Sequence, residues 1–508
     1  MTAEKRAPLV GSSRAAPLSV RVRHAAAVAA TIALLAGVIE LARVVPPSTD
    51  ESAAQRPAVP EFRADAKAST WFCAGVPGND DSISGRVIVA NSGEVPVGGT
   101  ITRFAQDGVA RRQRFAVAAR STLEVDALAG VESPFVSTLV ESQGAALAVE
   151  QRTLHRAGDA VSQCASSPSG TWFLADGFTG AESLEQLVVT NPSLDSAILD
   201  VTFVTATGER APQSLKGVVV PPESVRVFDM AALDARNEAT VAVSVVATVG
   251  RVVVGRSQHY LGRGRLCYTM SLGASETSDR WYFADGTKRA EVAEEFVIYN
   301  PLTFDQQLTF IVAADDGTAL DPLTITAPAK RVTKFAPTSL GALPDGRYSA
   351  VVSAMSVSAA SVSASRPAGV VIERVSTQQV GKSTASAVML GSPQPAVAWV
   401  APSGTAASGV ESLRVFNPGA ASATLRVTYL GPAGAVAVPG YEAVVLAPGA
   451  SASIALSAET AATAVSVESN EPVVVARRVS RGAKQAIEGV APLIVVTGAA
   501  SCAAGEGC

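Results

Sequence analysis

The residues that usually carry chemistry are scarce in this chain. Its 508 residues contain three histidines, His24, His155 and His259, and five cysteines, Cys73, Cys164, Cys267, Cys502 and Cys508. No two cysteines stand in a CxxC spacing, so a zinc site built on sulfur has no framework. There is no HExxH, no GxSxG, no Walker loop and no GxGxxG that opens a helix after a strand. Nothing marks a carboxylate pair for glycoside hydrolysis, and no D-x-D-x-D run announces calcium. These absences predict a protein without catalytic residues, bound metal or cofactor.

Charge is also thin, at 17% of residues, and lysine is rare, with 8 against 33 arginines. The arginines are scattered rather than gathered on one face. Residues 1–23 carry Lys5, Arg6, Arg14, Arg21 and Arg23 against Glu4, so the net −4 of the whole chain leaves −8 for the rest. An acidic body with no basic face excludes nucleic acid as a partner, since phosphate binding needs clustered cations. Amphipathic helices of normal length are missing beyond the N-terminal region, and only 231–239 has the composition for a turn or two.

One long apolar run is present. Residues 25–39, AAAVAATIALLAGVI, extend to Val45 and reach the length of a bilayer core, with the basic cluster before them. The expectation is a cytoplasmic segment 1–23, a transmembrane signal anchor 24–45 and an extracytoplasmic body. The alternative is a secreted body after signal cleavage, although ELARVVPPSTD offers no clear cleavage site. Residues 46–68, rich in Pro, Ser, Ala and charge, read as a tether.

The body repeats itself. Trp71, Trp172, Trp281 and Trp399 are the only tryptophans, and each precedes an asparagine by 18 to 20 residues: Asn91, Asn191, Asn300 and Asn417. Gly108, Gly208, Gly317 and Gly434 each follow their asparagine by 17 residues. Apolar residues alternate before the asparagine (Leu187 and Val189, Phe296 and Ile298, Leu413 and Val415) and after it (Leu199, Val201, Phe203; Leu308, Phe310, Val312; Leu425, Val427, Tyr429). That period of two is a strand with one buried face. Asn with a following proline ends the first strand, and the later glycine turns a hairpin. A recurring turn, PPES, APAK or APGA, leads into valine-rich strands.

Six or seven strands per hundred residues predict an all-β chain. The reading is four tandem immunoglobulin-like antiparallel β-sandwich repeats at 69–168, 169–277, 278–395 and 396–495, with a tail at 496–508. A propeller is the alternative, but unequal repeat lengths favour separate sandwiches in a row. The tryptophans are expected in the cores; a stacking platform for sugars is the competing role. Cys73 with Cys164, and Cys502 with Cys508, are candidate disulfides, which would leave Cys267 free. Arg152-x-x-His155 and Arg256-x-x-His259 recur at one strand position and are read as structural. Glu185, Glu294 and Glu411, six residues before their asparagines, are expected to pair with the recurring Arg152, Arg256, Arg374 and Arg478, while Asp176 and Asp285 form turns.

The WFLADG at Trp172 and WYFADG at Trp281, with the later N-P, resemble an uncharacterised family of actinobacterial secreted or membrane-anchored proteins. WFCAG and WVAPSG in the first and fourth copies depart from that pattern. The resemblance implies a place at the cell envelope and carries no catalytic residue. The expected function is a non-enzymatic membrane-anchored envelope scaffold, structural or protein-binding. The alternative is a carbohydrate-binding or accessory protein for envelope glycan assembly. The expected partners are the membrane, through 24–45, and envelope proteins or cell-wall glycan.

Overall fold

The structure, a computed structural model, describes residues 60–497 apart from 64–65, 144–146, 156–157, 263, 265–266, 316–317, 357–368, 403–408, 432–433, 457–463, 482–487 and 493. The anchor segment 24–45 and the Cys502/Cys508 pair lie outside the described residues. Among those described, no helix is long and apolar enough to cross a membrane. The elements are strands and three single-turn 3₁₀ helices at Gln213–Leu215, Met230–Ala232 and Pro337–Ser339.

Unit one shows the plan. Its eight strands are Ala68–Pro77, Ile83–Asn91, Val97–Ala105, Gly108–Val117, Ser121–Asp126, Phe135–Gln143, Ala148–His155 and Gly158–Gln163. They form two antiparallel sheets, in the order first–sixth–third–fourth and fifth–second–seventh–eighth. Units two and three repeat this order strand for strand, and unit two adds the short Val218–Val220. In unit four the sixth and seventh strands fuse into one long strand, Ala464–Arg481, that serves both sheets. The two sheets of a unit enclose one core; in unit two Trp172, Val201 and Val243 of one sheet meet Leu187, Val189 and Val254 of the other. The alternating apolar residues read from the sequence are the ones turned inward: Leu199, Val201 and Phe203 are buried while Ile198, Asp200 and Thr202 are half-buried.

Three expectations are corrected. The shared plan has eight strands rather than six or seven, because the eighth is short and partly polar, as in GDAVSQ, and gives little alternation to read. The pairing is not the immunoglobulin one, in which the first strand joins the second, fourth and fifth; here the first strand pairs with the sixth. The units are not a row of separate sandwiches. The four eighth strands, Gly158–Gln163, Cys267–Leu272, Ser383–Leu390 and Glu488–Pro492, pack each against the next, and the last returns to the first. A strand at a sheet edge exposes unpaired backbone and needs cover; gathering four such edges around one axis supplies it. The core of unit one accordingly runs into Tyr268 and Met270 of unit two and into Val400, Leu430, Ala464 and Ile494 of unit four. The segment read as a tether also contributes, since Glu61–Arg63 pairs in parallel with Ile494–Thr497 on the fourth unit's sheet.

The repeat-defining residues hold the chain at fixed points. All four tryptophans are buried, and each indole N–H donates to a carbonyl just before or within the sixth-to-seventh strand region: Leu147, Val252, Val370 and Val473, at 2.7, 2.7, 2.9 and 3.0 Å. No tryptophan is therefore presented as a sugar platform. Each asparagine is fully buried and makes the same clamp. Its Oδ1 accepts the N–H two residues on (Gly93, Ser193, Leu302, Gly419), and its Nδ2 donates to the carbonyl four residues on (Val95, Asp195, Phe304, Ala421). The same Nδ2 reaches the turn before the fifth strand, at the carbonyls of Ala118, Val220, Ala327 and Leu446. That turn holds Arg120, Glu223, Lys330 and Gly449 at φ 50°, 47°, 55° and 75°, so three non-glycine residues sit in left-handed backbone.

Cys73 and Cys164 are joined, tying the first strand of unit one to the residue after its eighth. In units two and three the neighbouring residues make only a backbone bridge, Phe173 with Ala274 and Tyr282 with Ser392. There the second cysteine's place is taken by Gly273 or Gly391. A Cβ on Gly391 would lie 2.6 Å from the ring of Phe283, so a larger first partner requires a missing second one. Cys267 is the free buried thiol.

Candidate functional site: the junctions between units

The turn after the tryptophan, Ala74-Gly75 in unit one and A-D-G in units two and three, is where one unit meets the next. In units one and three the register of the first strand shifts there, between Cys73 and Val76 and between Phe283 and Gly286. Such a bulge pushes the turn out of the sheet. The glycine is obligatory because no Cβ fits: at Gly75 it would stand 2.4 Å from the Val136 carbonyl oxygen, at Gly177 2.2 Å from a Glu185 carboxylate oxygen, and at Gly286 2.3 Å from the Tyr348 ring.

The residue before the glycine differs among units, and with it the chemistry of the joint. Between units one and two, Ala74 meets Gly255, whose absent Cβ would lie 2.5 Å from that of Ala74. Gln151 secures the neighbouring Gly75, accepting its N–H at 3.0 Å and donating to its carbonyl at 2.9 Å. Beyond this contact, His155 and His259 lie edge to face with centroids 5.2 Å apart, each near Tyr268, and His259 Nδ1 is 3.6 Å from Asp80. His155 lies opposite Ile83 and His259 opposite Leu184, eight and seven residues before their asparagines, so the two histidines meet across this joint from different positions rather than from the one repeated position read in the sequence.

Between units two and three, Glu373 is buried against the turn of unit two. It accepts the N–H groups of Ala175 and Asp176 at 2.9 and 2.7 Å and a two-pronged guanidinium from Arg256 at 2.9 and 3.2 Å. Arg256 also donates to the Asp176 carbonyl. Glu185 sits beside this pair with its Oε2 unpartnered; burial first, and then the nearby carboxylates, push its carboxyl well above the usual range despite Arg256. The expected pairing of Glu185 with Arg256 is therefore superseded by an acid from the following unit, because the Glu373 carboxylate accepts two backbone N–H groups as well as the Arg256 guanidinium.

Between units three and four the arrangement is inverted. Asp285 is fully buried and takes Arg478 two-pronged at 2.9 and 3.0 Å and Arg347 at 3.2 Å. Arg374 and Arg414 stand at 3.8 and 4.0 Å, too far to donate. Burial alone would raise the Asp285 carboxyl, but Arg478, Arg374 and Arg347 hold it below its ordinary value. Glu294 does not bond the recurring Arg374; its Oε2 accepts Thr287 N–H at 2.9 Å and the Tyr348 hydroxyl at 2.6 Å. Asp285 was read as a turn former, and its ionic role was missed; its position beside a glycine that admits no side chain was the available signal. The ring closes with Arg477 of unit four on Glu150 of unit one at 2.7 Å, both buried. The side chain of Glu411 lies outside the described ones.

At the axis, Val161, Gln163, Met270, Leu272, Met389 and Leu390 from three units line an open depression of about 290 Å³. Among the described residues no group of three His, Cys, Asp or Glu is placed to hold a metal ion.

The model of a family of unknown function (DUF5719) matches residues 127–391 and 368–501. No curated protein matches the chain. Among solved structures, the crystal structure of Thermotoga maritima 1070 is similar at 15% identity over 23% of this chain and 94% of that one, with a TM-score of 0.19.

Proposed function

The chain belongs to the DUF5719 family of unknown function, and from that premise we propose that it is a non-enzymatic scaffold of the cell envelope, anchored through 24–45 and offering a ring-shaped body to protein partners. One observation carries this reading: three buried ion pairs fasten units to one another. Arg256 with Glu373, Arg478 with Asp285 and Arg477 with Glu150 each cross a junction. Buried ion pairs of this kind specify one arrangement of parts more than they add stability, which suits a rigid platform. The Cys73–Cys164 bridge supports an oxidising, extracytoplasmic location. The glycan-binding alternative would need a surface other than the tryptophans, all four of which are buried.

Two measurements test the proposal. Alkaline phosphatase fused after Cys508 should be active in cells while a fluorescent protein fused there stays dark; the reverse pattern places the body inside and sinks the envelope reading. Cross-linking of the intact chain in membranes should then recover defined envelope proteins. Retention of the purified body on cell-wall glycan, with no protein cross-linked, would overturn the scaffold in favour of sugar binding.

A further inference from the structure

Charge is thin in this chain, yet one edge of unit one concentrates it. The fourth strand, Gly108–Val117, reads GVARRQRFAV and among the described residues pairs on one side only, with Val97–Ala105. Its residues from Val109 to Arg114 are all exposed. Arg112 and Arg114 stand opposite Thr102 and Thr100 on one face of the sheet, and Arg111 stands opposite Arg103 on the other. Arg103 is buried and donates to the carbonyls of Asp126 and Ala127, while Arg112 meets Glu223 of unit two at 2.8 Å. Arg111 and Arg114 make no ion pair among the described residues.

The other units do not leave such an edge. In unit two it is broken into Gly208–Arg210 and Val218–Val220 by the 3₁₀ turn at Gln213–Leu215. In unit four it is broken into Gly434–Ala437 and Val444–Leu446, and in unit three it is the five residues Leu323–Ala327. Short and interrupted edges are how sheets avoid pairing with other chains. Unit one keeps ten residues in one run.

We propose that this edge binds an extended acidic segment of a partner protein, added as a further strand beside Gly108–Val117. The proposal rests on the scaffold reading and names the chemistry of its partner. The backbone selects a peptide: the free edge presents N–H and C=O groups, so its partner must both accept and donate, whereas a phosphate polymer only accepts. The side chains select the sign: carboxylates at alternate positions of the added strand share a face with Arg112 and Arg114. A second copy of this chain is disfavoured, because antiparallel pairing of two such edges about Gln113 sets Arg112 against Arg114 of the other copy. The charge that repels a like edge thus admits an acidic one.

The test uses the full-length chain in detergent and two fluorescent probes. One is an extended peptide of alternating threonine and glutamate; the other is the same peptide N-methylated throughout, which keeps the charge and removes every backbone donor. Saturable binding of the first is expected, with the second about tenfold weaker. Arg114→Glu, at an exposed position, should weaken the first about tenfold. Equal binding of the two peptides would reveal a polyanion surface that reads charge alone and would overturn the added strand; no saturable binding overturns the edge outright. Cross-linking in membranes separates this proposal from the scaffold reading. Loss of a defined envelope protein in Arg114→Glu supports the edge, and recovery of the same proteins from variant and unaltered chain overturns it while the scaffold stands.

Discussion

The joint between units one and two and the joint between units three and four occupy the same place in the repeat, yet they are held by opposite means. At the first, Ala74 and Gly255 are so small that the two backbones nearly touch, and a neutral Gln151 clips the adjacent glycine. At the second, Asp285 gathers Arg478 and Arg347 and lies within 4.0 Å of two further guanidiniums. Close approach and charge are thus interchangeable answers to one geometric demand, a protruding turn that must seat against the next unit. They differ in what disturbs them. A contact of small residues is sensitive to volume and indifferent to salt; a buried ion cluster is sensitive to the loss of one partner.

The comparison breaks most sharply at Asp285. Replacing it by Asn leaves several buried guanidiniums without a counter-charge and should cost about 3–5 kcal/mol in denaturant unfolding; a cost below 1 kcal/mol would show that the arginines find water instead. Gly255→Val attacks the other joint. It should cost about 1–3 kcal/mol by overpacking against Ala74, and the loss should be the same in low and high salt.

The joint between units two and three sharpens the contrast, because burial raises the carboxyl of one of its acids, Glu185. In the unfolded chain that carboxyl ionises near its ordinary value, so the folded state binds the extra proton and stability from this group falls as pH rises through that value. Glu185→Gln should raise Tm at neutral pH and flatten its decline as pH rises above the ordinary carboxylate range. A lower Tm at pH 7 would mean that Glu185 works as a carboxylate. The smallest effect is expected at Cys267, whose thiol burial pushes up to about 11 and which lies within 2.8 Å of the Ser386 carbonyl. It should resist alkylation at pH 8 in the folded protein and react fully in denaturant; rapid labelling of the native chain would show that the axis opens.

What could be read from the chain alone was the local part. Trp71, Trp172, Trp281 and Trp399 and the four asparagines stand out because each serves a turn within thirty residues or an indole hydrogen bond within ninety, and every copy needs the same chemistry. The disulfide of unit one was legible for the same reason, as it opens and closes one repeat. Strand order was not, because a period of two states which face is buried and says nothing about which neighbour pairs. The closure of the ring was hidden too. It depends on contacts such as Arg477 with Glu150, 327 residues apart, and the repeat itself gave no sign of them. The arginines illustrate the limit: the structure sets Arg256, Arg374 and Arg477 opposite one position of the second strand and Arg152 and Arg478 opposite the one before it, so the repeat read from the sequence merged two positions that face different partners.

The short parallel ladder between Glu61–Arg63 and Ile494–Thr497 has a mechanical meaning. Tension arriving along the polypeptide from upstream of Pro60 is delivered to the last module in chain order before it reaches the first. The clasp therefore couples any pull on the preceding chain to the seam where the circle is fastened.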